Sequence, residues 1–141
     1  MNVYFDSSAL VKQYLAEEGS ERAIRLTRQA TVEATTIASR VEVEAAFAKG
    51  VRMGIVGPEE ARAALEAFQR KWPALQRLAV TEPLVARAGR LTWRFGLRGY
   101  DSIQLSSALY WRELLGSPVT FACFDHRLSA AAKEVGLASI H

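Results

Sequence analysis

The sequence predicts an α/β protein, a three-layer α/β/α sandwich around a central, mainly parallel sheet. Three observations carry that prediction. Two unbroken apolar runs, Val3-Tyr4-Phe5 and Val119 to Phe124, stop at an aspartate that leads into a helix, as strands covered on both faces do. Segments with helical periodicity alternate with short β-branched stretches, the pattern of parallel strands joined by crossover helices. The 141 residues are 50% hydrophobic, enough for one ordinary core, so residues 1–141 are expected to form a single domain.

The elements follow in order. After Val3-Tyr4-Phe5-Asp6, Ser7 or Ser8 caps a helix with Leu10, Val11, Tyr14 and Leu15 inward, ended by Gly19. Ser20 starts a second helix to about Ala30, and Glu33 to Ile37 is the second strand. Ser39-Arg40-Val41-Glu42 has the spacing of a capping box, and Val43, Ala46 and Phe47 continue that helix toward Gly54. Gly57-Pro58 opens a fourth, with Ala61, Ala64, Leu65, Phe68 and Trp72 on one face until Pro73. Leu75 to Val80 is a third strand, and Thr81-Glu82-Pro83 opens a helix stopped by Gly96. Leu97 to Tyr100 is a turn, and Asp101 heads a helix apolar nearly all round, hence buried, that ends at Gly116-Ser117-Pro118. The strand Val119 to Phe124, a short helix from about Leu128 to Val135, and a last strand around Leu137 to Ile140 complete the chain.

Composition narrows the function. No cysteine-rich zinc site or internal disulfide forms, because Cys123 is the only cysteine, so a metal would be held by oxygen or by the two histidines. Met1-Asn2-Val3 carries no basic region or long apolar stretch and no run reaches membrane-spanning length, so a cytoplasmic protein without a membrane partner is expected. The net charge of +3 permits a polyanionic partner without demonstrating one.

The acids say more. Asp6, Asp101 and Asp125 are the only aspartates, and each stands at a junction instead of on a charged helix face. Each alone is explained as a helix cap or turn residue, and Glu42 alone as half of the capping box. Together they are harder to dismiss, because the predicted topology gathers all four at one sheet edge, where open α/β sheets bind ligands. Two carboxylates ~4 Å apart repel by about 4 kcal/mol at an effective dielectric of about 20, so such a cluster takes up protons or a cation. All-oxygen ligation favours Mg²⁺ or Mn²⁺, and hard ions held this way handle phosphates; the chemistry suggested is phosphodiester hydrolysis.

The motifs Phe5-Asp6-Ser7-Ser8-Ala9-Leu10-Val11-Lys12, Ser39-Arg40-Val41-Glu42, Tyr100-Asp101-Ser102-Ile103-Gln104-Leu105 and Phe124-Asp125-His126-Arg127-Leu128 together resemble, in order, those of the PIN-domain ribonucleases, most closely the VapC-type toxins of toxin–antitoxin pairs. The resemblance implies that Asp6, Glu42, Asp101 and Asp125 are catalytic and hold one or two Mg²⁺ or Mn²⁺ ions. It implies a bound water attacking an RNA phosphodiester, Ser8 supporting the site, a small antitoxin protein in the cleft, and a homodimer. One position departs from the pattern: many relatives have threonine two residues before the last aspartate, where this chain has Cys123.

Arg40, Arg98 and Arg127 lie beside the acids as grips for RNA phosphate, or are solvated or paired with neighbouring glutamates. His126 is more simply a turn residue than a base. Trp93, Trp111, Tyr110 and Phe68 are expected in the core or a subunit interface. Two other functions compete with a nuclease. A catalytically inactive PIN-like domain would bind RNA or protein. A phosphoaspartate enzyme or receiver would want a second early acid where Ser8 stands, and has little support.

Overall fold

A computed structural model describes residues 1–140 of the chain; His141 lies outside the described residues. The element order is β1 (Asn2–Phe5), α1 (Ser7–Tyr14), α2 (Ser20–Gln29), β2 (Val32–Thr36), α3 (Ser39–Arg52), α4 (Pro58–Lys71), a 3₁₀ turn (Trp72–Ala74), β3 (Gln76–Leu78), α5 (Glu82–Phe95), α6 (Gly99–Leu115), β4 (Val119–Ala122), α7 (His126–Glu134) and β5 (Ala138–Ile140). The described strands pair in parallel throughout, in the order β3-β2-β1-β4-β5. The expected α/β/α sandwich is what forms.

The central strand explains the layering. Val3, Tyr4 and Phe5 are all fully buried, and their side chains alternate between two separate cores. Val3 and Phe5 pack with α1 to α4 around Phe47, Phe68 and Trp72. Tyr4 turns to the other face and stacks on Phe121, centroids 5.6 Å apart, among Leu105, Leu109 and Trp111 of α6 and Leu128 of α7. Strand order reverses between β1 and β4, so the crevice beyond their carboxyl ends is the switch point of the sheet. One close approach narrows it: Gly19, at φ +90°, lies so near the Phe124 ring that an added Cβ would stand 2.6 Å from Cε1.

Several local expectations are corrected. The final buried helix starts at Gly99, with Arg98 as N-cap, so Asp101 sits inside its first turn instead of heading it. Its carboxyl end is not buried, since Tyr110, Leu114 and Leu115 are exposed. The capping box does not form. Ala38 takes the N-cap position, and Ser39 is buried with its hydroxyl engaged by Thr35 and Gln104. Trp111 and Phe68 are core residues, whereas Trp93 is 92% exposed and adds nothing to the core.

Candidate active site

Asp6 follows β1 directly and caps α1. Its Oδ1 accepts from the Ala9 N–H at 2.9 Å and from the Ser8 hydroxyl at 2.7 Å, while the Phe124 N–H donates to Ser8 Oγ at 3.3 Å. Both bonds to the carboxylate end on one oxygen, so capping α1 does not use up the group. Asp125 divides its labour in the same way: Oδ1 accepts from the Leu128 N–H at 2.9 Å to cap α7, and Oδ2 lies 3.7 Å from Arg98 Nη2. Cap and functional group are compatible roles here, because a carboxylate has two oxygens.

Glu42, freed of the capping box, turns toward α6 and accepts at Oε1 from Gln104 Nε2 at 2.9 Å. Asp101 pairs with Arg98, Nε to Oδ2 at 3.2 Å, and the same guanidinium bridges it to Asp125. All four acids lie at amino-terminal helix ends, where the partial positive charge of the helix offsets part of their repulsion, each by about 0.3–1 kcal/mol.

The offset is incomplete. Burial pushes the Asp6 carboxyl up to about 7 against the Ala9 and Ser8 bonds, and the charges of Asp101 and Glu42 push the same way. Glu42 is raised as well, by burial first and by Asp101, and its bonds to Gln104 and Ser7 oppose the rise. Asp6 is only 4% exposed. A buried, mutually repelling carboxylate set of this kind takes a proton at neutral pH or a hard cation.

Cys123, on the β4 side of the same crevice, is fully buried. Its thiol is pushed up to about 12 by burial and then by Asp6, and its Sγ lies 3.6 Å from the Asp125 carbonyl oxygen. The residue that replaces the threonine of many relatives thus touches the backbone of Asp125, not its carboxylate.

The arginines separate. Arg98 and Arg127 line one recess of about 310 Å³ with Gly96, Asp101 and Asp125, and Arg127 Nη1 donates to the Gly96 carbonyl at 3.1 Å. Arg40 instead pairs along its own helix with Glu44 at 3.4 Å. A second cleft of about 810 Å³ is lined by charges of both signs, Lys12, Arg22 and Arg25 with Glu17, Glu18 and Glu21, and by Phe124 and His126. Tyr4, Thr35, Ser39 and Gln104, none of them expected among the site residues, meet behind Glu42. The available signal was a glutamine within a helix otherwise expected to be apolar and buried.

The PIN-domain family model matches residues 3–134, nearly the whole length. The chain belongs to the PIN-domain family. Among curated proteins this PIN domain is 32% identical to Ribonuclease VapC45 and to Ribonuclease VapC49 of Mycobacterium tuberculosis, each over 95% of this chain and 91% of the relative. Ribonuclease VapC46 of the same organism is 30% identical over 98% of this chain and 95% of the relative. Among solved structures, FitAcB from Neisseria gonorrhoeae superposes with a TM-score of 0.71 at 13% identity, covering 99% of this chain and 96% of that one. PAE2754 from Pyrobaculum aerophilum does so at 0.63 and 21% identity, over 99% and 92%. At those identities the structural likeness concerns the fold alone.

Among the described residues, no group of three His, Cys, Asp or Glu side chains is drawn closely enough together to hold an ion with the side chains as placed. The donor set nonetheless suits a hard cation. Its members are carboxylate oxygens, the innermost is raised to about 7 by burial and like charge, and the cation paired with Asp101 and Asp125 is the exposed Arg98.

Proposed function

We propose that this PIN domain is a metal-dependent endoribonuclease that hydrolyses RNA phosphodiesters, and that it is the toxin of a toxin–antitoxin pair. The observation that carries the reading is the acid constellation itself, with buried Asp6 within reach of the charges of Glu42 and Asp101 and with Asp101 joined to Asp125 through Arg98, in a chain whose relatives, 32% identical, are ribonucleases by name.

Asp6, Glu42, Asp101 and Asp125 would hold one or two Mg²⁺ or Mn²⁺ ions. When bound, the metal supplies Lewis acidity toward a phosphoryl oxygen and lowers the pKa of an attacking water. The chain's own groups do the positioning. Ser8 and the Ala9 N–H fix the Asp6 carboxylate, and Asp125 is anchored by the Leu128 N–H. Arg98 and Arg127, which line the recess beside Asp101 and Asp125, would receive RNA phosphate. Arg40, paired with Glu44, is withdrawn from that role.

The remaining partners belong to the same proposal. A groove of about 470 Å³ begins at Ser8 and runs past Val11, Leu15, Met53, Ile55 and Val56, which suits an apolar segment of an antitoxin. Exposed Trp93 and Leu114 are surface a homodimer would cover. A cytoplasmic site of action belongs to the same proposal; among the described residues, no helix is long and apolar enough to cross a membrane.

The test is cleavage of labelled total RNA. Cutting should require Mg²⁺ or Mn²⁺, stop on chelation, and fall in Asp6→Asn by more than about 100-fold, the upper range for losing only an outer partner of a metal ligand. Undiminished cutting by Asp6→Asn would sink the proposal.

A further inference from the structure

A glutamine inside a buried helix is costly unless both ends of its amide are satisfied. Gln104 is 1% exposed and satisfied at both. The Tyr4 hydroxyl donates to Oε1 at 2.7 Å, and Nε2 donates to Glu42 Oε1 at 2.9 Å and to Ser39 Oγ at 3.0 Å.

The protons of this network can be assigned from valence alone. Thr35 Oγ1 lies 2.8 Å from the Phe5 carbonyl and 2.7 Å from Ser39 Oγ. A carbonyl has no proton, so Thr35 spends its single one there, and the Ser39 hydroxyl must donate to Thr35. Ser39 then has only acceptor capacity to offer Gln104. Both amide protons are committed, one to Ser39 and one to Glu42, and Tyr4 holds the carbonyl end. Rotating the amide by half a turn would place Oε1 against the Glu42 carboxylate and against an acceptor oxygen of Ser39, and would take away the acceptor that the Tyr4 hydroxyl meets at 2.7 Å. The amide has one orientation.

The chain of bonds also joins the elements that carry the acids. It starts at the Phe5 carbonyl, one residue before Asp6 on β1, passes through Thr35 on β2 and Ser39 on α3, and ends on α6 one turn after Asp101. Tyr4, Thr35 and Ser39 are each 0% exposed, so water does not compete for these bonds.

We infer that Gln104 is a positioning residue for the metal-ligand set: an amide locked by Tyr4 that aims the Glu42 carboxylate and holds α3 in register with α6. It touches neither substrate nor the reacting atoms. Its amide is neutral, so it orients Glu42 without supplying the positive charge that the site needs. The inference rests on the metal-dependent reading above.

The test reads metal affinity apart from turnover. Melting of the full-length chain is followed while Mn²⁺ is titrated, since a ligand specific to the native state raises the melting temperature. Gln104→Met keeps the volume and removes the donors, and should raise the Mn²⁺ concentration giving half the thermal shift by about 10-fold or more. Tyr4→Phe keeps the stacked ring, never reaches Glu42, and should raise that midpoint by a smaller factor, because only the lock on the amide is lost. Cleavage by both variants should recover toward wild type as Mn²⁺ is raised. A Gln104→Met midpoint equal to wild type overturns the inference. If Gln104→Met does not melt cooperatively, an unchanged midpoint in Tyr4→Phe overturns it. A wild-type chain that neither responds to Mn²⁺ nor cuts RNA removes the functional reading itself, and the inference with it.

Discussion

The two halves of the acidic site handle negative charge by different means. In the inner half, Asp6 and Glu42 are held by neutral donors: the Ala9 N–H, the Ser8 hydroxyl and the Gln104 amide. Such donors fix direction and favour the ionised form, but they bring no full charge, and Asp6 stays displaced to about 7. In the outer half, Asp101 and Asp125 share the Arg98 guanidinium, whose side chain is 83% exposed. That pairing brings a full charge but little rigidity, because an exposed ion pair is worth about 0–1 kcal/mol. The demand for a cation is therefore concentrated on the inner acids, and the outer pair can exchange its guanidinium for a ligand at small cost.

The largest effect that tests this contrast is on stability. Asp6 ionises near 7 in the folded chain and near 3.8 without burial, so the folded state holds an extra proton between those values. Stability from this group is therefore full at low pH, falls as pH rises through that window, and stays low above it. Asp6→Asn keeps an oxygen for the Ser8 and Ala9 bonds and never carries the charge. Relative to wild type without divalent metal, it should gain on the order of 2–4 kcal/mol at pH 8 and almost nothing at pH 4. Denaturant melts at several pH values measure the difference. A variant less stable than wild type at pH 8 would show that the inner carboxylate is already compensated within the chain.

The outer half should respond far less. Arg98→Ala should change stability by less than about 1 kcal/mol, since it removes one exposed pairing group. Its effect belongs to substrate: KM for RNA should rise by roughly 3–10-fold with kcat nearly unchanged, and the salt dependence of KM should become shallower. A collapse of kcat at constant KM would instead assign Arg98 to the transition state and remove the distinction drawn between the halves.

The fold was legible because its signals are local or nearly so. An apolar run that stops at an acid, as at Phe5-Asp6 and Phe124-Asp125, states both the strand and the place where its ligand edge lies. The outline of the site was legible for a related reason, since only three aspartates occur and each stands at a junction. What escaped depends on packing between distant segments. Ser39-x-x-Glu42 is locally indistinguishable from a capping box, and only the arrival of Gln104 from 62 residues away draws Glu42 elsewhere. Trp93 was expected in the core or a subunit interface; it lies two residues from the inward-facing Leu91, about 200° around the helix, so it faces away from the core and only the interface role is left to it. Arg98 bridges two aspartates only because the start of α6 and the end of β4 share the crevice, which no single motif states.

Cys123 stands between the halves, raised by burial and then by the charges of Asp6, Asp125 and Asp101, and gives the smallest predicted effect. Its thiol touches the Asp125 carbonyl at 3.6 Å, a weak contact at a group the backbone already places. Cys123→Thr would install a stronger donor at the same carbonyl. That gain of about 0.5–1.5 kcal/mol is opposed by burying a hydroxyl in place of an apolar thiol, at a cost of similar size. Stability should stay within about 1 kcal/mol of wild type, and kcat within about 2-fold, because neither Asp125 oxygen changes its partner. The native thiol, pushed up to about 12 and fully buried, should resist alkylation at pH 8 until the chain unfolds. A gain in kcat of about 10-fold on adding the hydroxyl would show that position 123 reaches the reacting groups, and would make the crevice between β1 and β4 one continuous site instead of two unlike halves.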